Sequence, residues 1–237
     1  VSLVELNEIE RRVFGVLIEK SLAQPTYYPM TLNAVIAACN QKSNRDPVMA
    51  LDEDTVWNAL DALRERGFVS RILAGMSGRV DRFRHEVKTA FNWEKPQRAI
   101  MAELMLRGPQ TLGELRTRCT RLYPFENADA VAAVVQMLCE SDPPLVAPLP
   151  RAPGQSAVRY AHRLYPAGER PEAAEPQPEA AEPQPVAPAV MDSAAASGGV
   201  SGPANSRLQE IEEELAGLRE ALTDLQRRLS ALEQQLQ

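Results

Sequence analysis

The apolar positions near the start of the chain recur at helical spacing. Ile9, Val13, Val16 and Leu17 fall three and four residues apart. Asn7, followed three residues on by Glu10, has the form of a capping box, so a helix is predicted over 7–23. A turn-forming stretch bounded by prolines occupies 25–29. Thr31 then caps a second helix with Leu32, Val35 and Ile36 inward, running to about Asn40. A third helix is predicted from Asp52, with Val56, Ala59, Leu60 and Leu63 on its inner face and Gly67 as its stop. Beyond Gly67 the period shortens to two. Residues 68–74 favour β structure, 75–78 favour a turn, and 80–87 alternate, with Phe83 inward between outward Arg82 and Arg84. Three helices followed by a hairpin predict a winged helix, in which a helix-turn-helix core carries a β-ribbon.

The order then repeats. Helices are predicted over 95–107, 111–122 and 127–140, and a hairpin from 145–149 with 157–164. Landmarks recur at nearly constant offset: Thr31-Leu32 matches Thr111-Leu112 at 80, and Asp54 and Val56 match Asp129 and Val131 at 75. Arg82-Phe83-Arg84-His85 matches Arg159-Tyr160-Ala161-His162 at 77. We read this as an internal duplication. The predicted fold is mainly α with small β-hairpins: two tandem winged-helix domains at 1–92 and 93–165, a linker and a C-terminal coiled-coil helix.

From 166 to 205 the composition turns to Pro, Ala, Glu, Ser and Gly, with a tandem copy of EAAEPQP at 172–178 and 179–185. Such a stretch buries too little apolar surface to offset its ordering entropy, so a disordered tether is expected, spanning roughly 35 Å as a flexible coil. The segment 206–237 carries the longest periodic pattern. Leu208, Ile211, Leu215, Leu218, Leu222, Leu225, Leu229, Leu232 and Leu236 step by three and four without a break. A sustained 3-4 seam is buried only against another helix, which predicts a coiled coil and a homo-oligomer, with packing back onto the chain's own domains as the alternative. A seam of leucines with the one isoleucine leaves strand number and orientation open.

Charge changes the picture once it is divided along the chain. The formal net charge is -6, but residues 1–165 hold 21 Lys+Arg against 19 Asp+Glu, and the remaining 5 basic and 13 acidic groups belong to the tail. Cys39, Cys119 and Cys139 lack any CxxC spacing and read as reduced core residues, suggesting neither a disulfide framework nor a metal site. The apolar run 13–18 is six residues long and flanked by Arg11, Arg12, Glu19 and Lys20, too short for a signal peptide or a membrane span, so a cytoplasmic protein without membrane contact is expected.

For nucleic acid the indications divide. Residues 64–88 hold seven basic side chains against three acidic ones, centred on the first hairpin, where Arg71, Arg79, Arg82 and Arg84 are placed to touch phosphates. The loop before the third helix adds Lys42, Asn44 and Arg45, in a connection of about twelve residues that is long for a bare helix-turn-helix. Arginines on a two-stranded edge also serve simply to deter edge-to-edge pairing. Against DNA, the outward positions of the third helix are Asp54, Asn58, Asp61 and Glu65, an acidic stripe where a major-groove reader would offer Arg, Asn or Gln. The matching helix at 127–140 is apolar almost all round and is expected to lie against the first domain or a partner subunit.

Catalytic chemistry has little to draw on. His85 and His162, the only histidines, hold equivalent places in the two hairpins and are expected to bond within their own ribbons. No nucleophile elbow, glycine-rich phosphate loop or framed carboxylate pair is present, so neither enzyme activity nor a cofactor is expected.

The run Ala38-Cys39-Asn40-Gln41-Lys42-Ser43-Asn44-Arg45-Asp46-Pro47-Val48-Met49, with Arg107-Gly108-Pro109-Gln110-Thr111 and Gly113-Glu114-Leu115-Arg116 downstream, resembles the YceH-like family of uncharacterised bacterial proteins. The resemblance covers about residues 5–165, leaves out the EAAEPQP linker, and implies a tandem winged-helix fold whose members commonly end in a short heptad segment. It supplies no activity, ligand or site residue. Within the signature loop, Lys42, Asn44 and Arg45 are polar and in a connection, which suits a contact role. A structural role is the alternative, with Asn40 ending the second helix in a left-handed conformation and Asp46-Pro47 turning the chain.

Two functions follow from these residues. One is a cytoplasmic, oligomeric DNA-associated protein, for instance a transcriptional regulator, touching double-stranded DNA through the first hairpin and the signature loop. The other is a protein-interaction scaffold that docks partners on helix faces and takes its valency from the coiled coil.

Overall fold

The computed structural model describes residues 4–75, 79–151 and 157–171. The EAAEPQP copies and the heptad residues from Leu208 to Leu236 lie outside the described residues. The described chain is mainly helical, with seven α-helices and two small antiparallel sheets.

Over the described residues the predicted helices and hairpins occur in the predicted order. Helices α1 (Glu8–Ala23), α2 (Leu32–Cys39) and α3 (Glu53–Glu65) lead into strands β2 (Val69–Ile72) and β3 (Arg82–His85), after a two-residue strand β1 (Met30–Thr31) that precedes α2. A short helix α4 (Val87–Phe91) leads to α5 (Lys95–Arg107), β4 (Gln110–Thr111), α6 (Leu112–Cys119), α7 (Ala128–Glu140), β5 (Val146–Pro148) and β6 (Arg159–His162). Capping explains the helix starts. Asn7 accepts from the Glu10 N–H while Glu10 accepts from the Asn7 N–H, and Thr31, Asp52, Thr111 and Asn127 each accept from the N–H three residues on.

The two halves repeat in detail. The sheets have the orders β1-β3-β2 and β4-β6-β5, with Met30 opposite Phe83 and Gln110 opposite Tyr160, and with Val69 opposite His85 and Val146 opposite His162. Arg82 donates to the Pro29 carbonyl at 2.9 Å, and Arg159 donates to the Pro109 carbonyl at 2.8 Å. Both histidines accept at Nδ1 from the N–H two residues on, Val87 in one half and Leu164 in the other. Each imidazole thus turns the chain at the end of its return strand, and His85 also reaches out of its hairpin through Nε2 to the Ser21 hydroxyl of α1 at 2.9 Å. Burial depresses both, His85 to about 4 and His162 to about 3.

The halves meet along α1 and α5. Gly15 permits the approach, since a Cβ there would come within 3.1 Å of Leu106 and 3.2 Å of Met105. Val13, Phe14, Leu17 and Ile18 of α1 and Ile100, Met101, Leu104 and Leu106 of α5 are fully buried. Each such side chain stabilises the fold by about 1.5–3 kcal/mol relative to exposure. Phe14 also faces the rings of Phe68 and Phe91, and Phe91 stacks on Trp93 at 4.5 Å. The Leu6 N–H donates to the Leu164 carbonyl and the Asp46 N–H to the Leu106 carbonyl, so backbone bonds also cross the seam.

Three expectations change. Helix α7 buries only Val131, Val135 and Leu138, against α5, α6 and β5 of its own half. Its outer face, with Ala133 exposed and Met137 56% exposed, does not cover the first half. The small residues that made it look apolar all round form a shallow face. Asn40 is not left-handed (φ -90°); Asn44 is, at φ 58°. Asn40 instead bonds both the N–H and the carbonyl of Leu51, at 2.7 and 2.8 Å, closing the long connection with its side chain. Lastly, the start of the expected linker is tied down, because Glu169 pairs with Arg11 at 3.1 Å.

Candidate interaction surfaces

The signature loop is drawn inward by a buried carboxylate. Glu19, one turn before the end of α1, accepts from Arg45 at 2.6 and 3.1 Å, and neither side chain is exposed. Arg45 also donates to the Ala38 carbonyl at 3.0 Å and to Gln41 at 3.0 Å. Burial raises the pKa of Glu19, but the bonds and charges of Arg45 and Arg121 outweigh it and hold the carboxyl below its ordinary value. Arg45, expected to meet phosphate, is therefore corrected to a buried structural cation with its donors engaged inside the protein. Asn44 accepts from Arg107 of α5 at 2.8 Å. Lys42 alone of the three is exposed.

Arg121, after α6, carries the same network across the seam. It binds Glu19 and also, at 3.0 Å, Glu103 of α5. Glu19 and Glu103 each stand four residues before the end of their helix, so the duplication places two carboxylates on facing helices. Arg121 serves both. The second oxygen of Glu103 is buried without a partner among the described residues, and burial pushes its carboxyl above the ordinary value. Periodicity could not have revealed this pair, because it reports one buried face, whereas α1 is covered on several sides.

On the first hairpin the arginines are mostly engaged. Arg71 bonds Asp81 at 2.6 Å and lies 4.9 Å over the Trp57 ring of α3. Asp81 is held below its ordinary value first by the Ala74 N–H and then by Arg71. Arg84 bonds Glu86 at 2.8 Å and Ser70 at 2.9 Å. Arg82 anchors Pro29, as described. Arg79 is exposed and makes no bond among the described residues. Thus the hairpin brings Arg71, Arg82 and Arg84 onto one ribbon but answers two of them with carboxylates and one with a carbonyl.

The third helices present no free cations. Helix α3 exposes Glu53, Asp54, Asn58 and Glu65, and its one basic residue, Arg64, bonds Asp61 at 2.7 Å. Helix α7 contains no basic residue. Beside it runs a groove of about 560 Å³ lined by Phe91, Trp93, Ala133, Met137 and Leu145, among others. Among the described residues no helix is long and apolar enough to cross a membrane.

Residues 6–155 match the family described as "Protein of unknown function, DUF480", and the chain belongs to that family, in accord with the YceH-like resemblance. UPF0502 protein GSU0233 of Geobacter sulfurreducens is 54% identical over 170 residues, 72% of this chain and 76% of the relative. UPF0502 protein Acid345_3645 of Koribacter versatilis is 44% identical over 213 residues, 90% of each chain. A UPF0502 protein of Geotalea uraniireducens is 42% identical over 234 residues, 99% of each, so this similarity also runs through the region of the linker and heptad segment.

Proposed function

We propose that the chain is a tandem winged-helix protein that docks other proteins rather than reading DNA, with its heptad tail joining copies into an oligomer. The doubled order of three helices and a hairpin supports the winged-helix reading, as does the return strand of each hairpin pairing with the strand before the second helix. The observation that carries the docking reading is the surface of the third helices. One is acidic with its only cation paired, and the other has no basic residue and exposes Ala133 and Met137 between Asp129 and Glu140. Phosphate repels the first, while the groove beside the second suits the apolar side of an amphipathic helix from a partner protein.

DNA contact through the first hairpin is the second reading, favoured by the exposure of Arg79 and Lys42. A photo-activated cross-linker placed at Met137 in cells separates the two. A discrete adduct with another protein is expected, and an adduct with nucleic acid, or none, overturns the docking reading. For the tail, sedimentation velocity of the full chain against a chain cut at Pro166 should show a larger species only when the heptads are present. Equal sizes would remove the oligomer from the proposal.

A further inference from the structure

The two stretches that carry the family resemblance, 38–49 and 107–111, meet at a cleft between the halves. It measures about 290 Å³, near the lower bound for a small-molecule site. Arg11 and Arg12 of α1, Arg107 at the end of α5 and Arg159 of β6 line it, together with the carboxylates of Glu8 and Asp46. Met49, Met105 and Tyr165 supply apolar wall.

The arginines are unequally compensated. Arg11 is answered by Glu169 at 3.1 Å and lies 4.5 Å over the Tyr165 ring, and Arg159 reaches Glu114 at 3.4 Å. Arg12 and Arg107 have no carboxylate at ion-pair distance among the described residues. Arg12 donates to the carbonyls of Cys39 and Pro47, and its Nε is buried with no partner. Arg107 donates only to Asn44. Burial and then the charge of Arg45 lower the pKa of Arg12, and burial and then the charge of Arg118 lower that of Arg107, against the opposing pull of Asp46 on both, of Glu8 on Arg12 and of Glu103 on Arg107.

A buried cation without a counter-charge is costly, and here buried Arg12 and half-buried Arg107 line one small cavity with an aromatic and thioether wall. We propose that this cleft binds a small organic oxyanion, a carboxylate or phosphate ester with an apolar body. The Arg107 guanidinium, which donates only to Asn44, has donors left for such a headgroup beside the charge of Arg12, and the methionines and Tyr165 receive the body. Because the lining comes from both halves and from the signature loop, the bound anion would fasten the three together. The inference does not depend on which macromolecule the outer surfaces dock.

The test is calorimetric titration and thermal unfolding of the full chain with phenyl phosphate, with benzoate, and with neutral benzyl alcohol, in low-chloride buffer. At least one of the anions should bind saturably at one per chain and raise Tm, and benzyl alcohol should do neither. Arg107→Gln should weaken that binding about tenfold or more. Met49→Trp, which fills the cleft while keeping every charge, should weaken it as well and decides the matter if Arg107→Gln fails to fold. Saturable binding by neither anion, or binding that the folded variants retain in full, overturns the proposal.

Discussion

Arg45 meets Glu19 at 2.6 Å with neither side chain exposed to solvent. This pair turns a polar loop that resembles a contact surface into part of the protein's interior. The loop closes over α1, its Asn44 reaches α5, and Arg121 extends the same carboxylate to Glu103 on the other side of the seam. Polar residues in a connection therefore serve packing between two equivalent helices.

The two buried carboxylates should respond unequally to neutralisation. Glu19→Gln leaves Arg45 without its counter-charge and should lower stability by about 3–5 kcal/mol. Glu103→Gln keeps an acceptor for Arg121 while removing a charge that burial disfavours, and should change stability by less than about 1 kcal/mol. Urea unfolding with a fixed m-value measures both. Equal losses would mean that Arg121 weighs the two carboxylates alike.

Acid should destabilise the fold through the histidines. Each has an ordinary pKa of 6.5 and a depressed value in the fold, about 4 for His85 and about 3 for His162. Below 6.5 the unfolded chain therefore binds protons that the folded chain does not, and stability falls with pH until the folded values are passed. Each histidine contributes a slope of at most about 1.4 kcal/mol per pH unit. His162→Asn, whose amide oxygen can still accept from Leu164, should flatten the fall in unfolding free energy between pH 6.5 and about 3. An unchanged slope would place the acid sensitivity elsewhere.

Glycine substitutions should separate the seam from the surface. Gly15→Val forces side-chain atoms against fully buried Leu106 and should cost about 1–3 kcal/mol. Gly113→Ala in α6, where a Cβ meets nothing nearer than the Thr111 hydroxyl at 4.0 Å, should add about 0.4–1 kcal/mol. Thermal melts of the two variants should move in opposite directions.

Much of this architecture was legible in the residues. Capping chemistry at Asn7, Thr31, Asp52, Thr111 and Asn127 marks where helices begin, and alternation about Phe83 marks the hairpin, because both are local rules. The two-residue strands β1 and β4 escaped notice, being too short to show a period and existing only as partners of β3 and β6. The candidate contacts were harder to read. Whether Arg45, Arg71 or Arg84 is free depends on Glu19, Asp81 and Glu86, and local spacing does not say which of these a side chain will reach. Helix α7 does not cover the first half for a related reason: alanine and valine look alike to a hydropathy pattern whether they are buried or form a shallow outer face.

Docking in place of DNA reading requires, beside third helices that repel phosphate, that Arg45, Arg71, Arg82 and Arg84 be committed within the protein, which leaves Lys42 and Arg79 too few to hold a duplex. Its most direct test is titration of a random-sequence duplex with the full chain at about 50 mM and about 200 mM salt, alongside the Arg79→Ala, Arg82→Ala, Arg84→Ala triple variant. We expect no binding at micromolar protein even at the lower salt. Binding that weakens steeply between the two salts, and loses part of that slope in the triple variant, would contradict it.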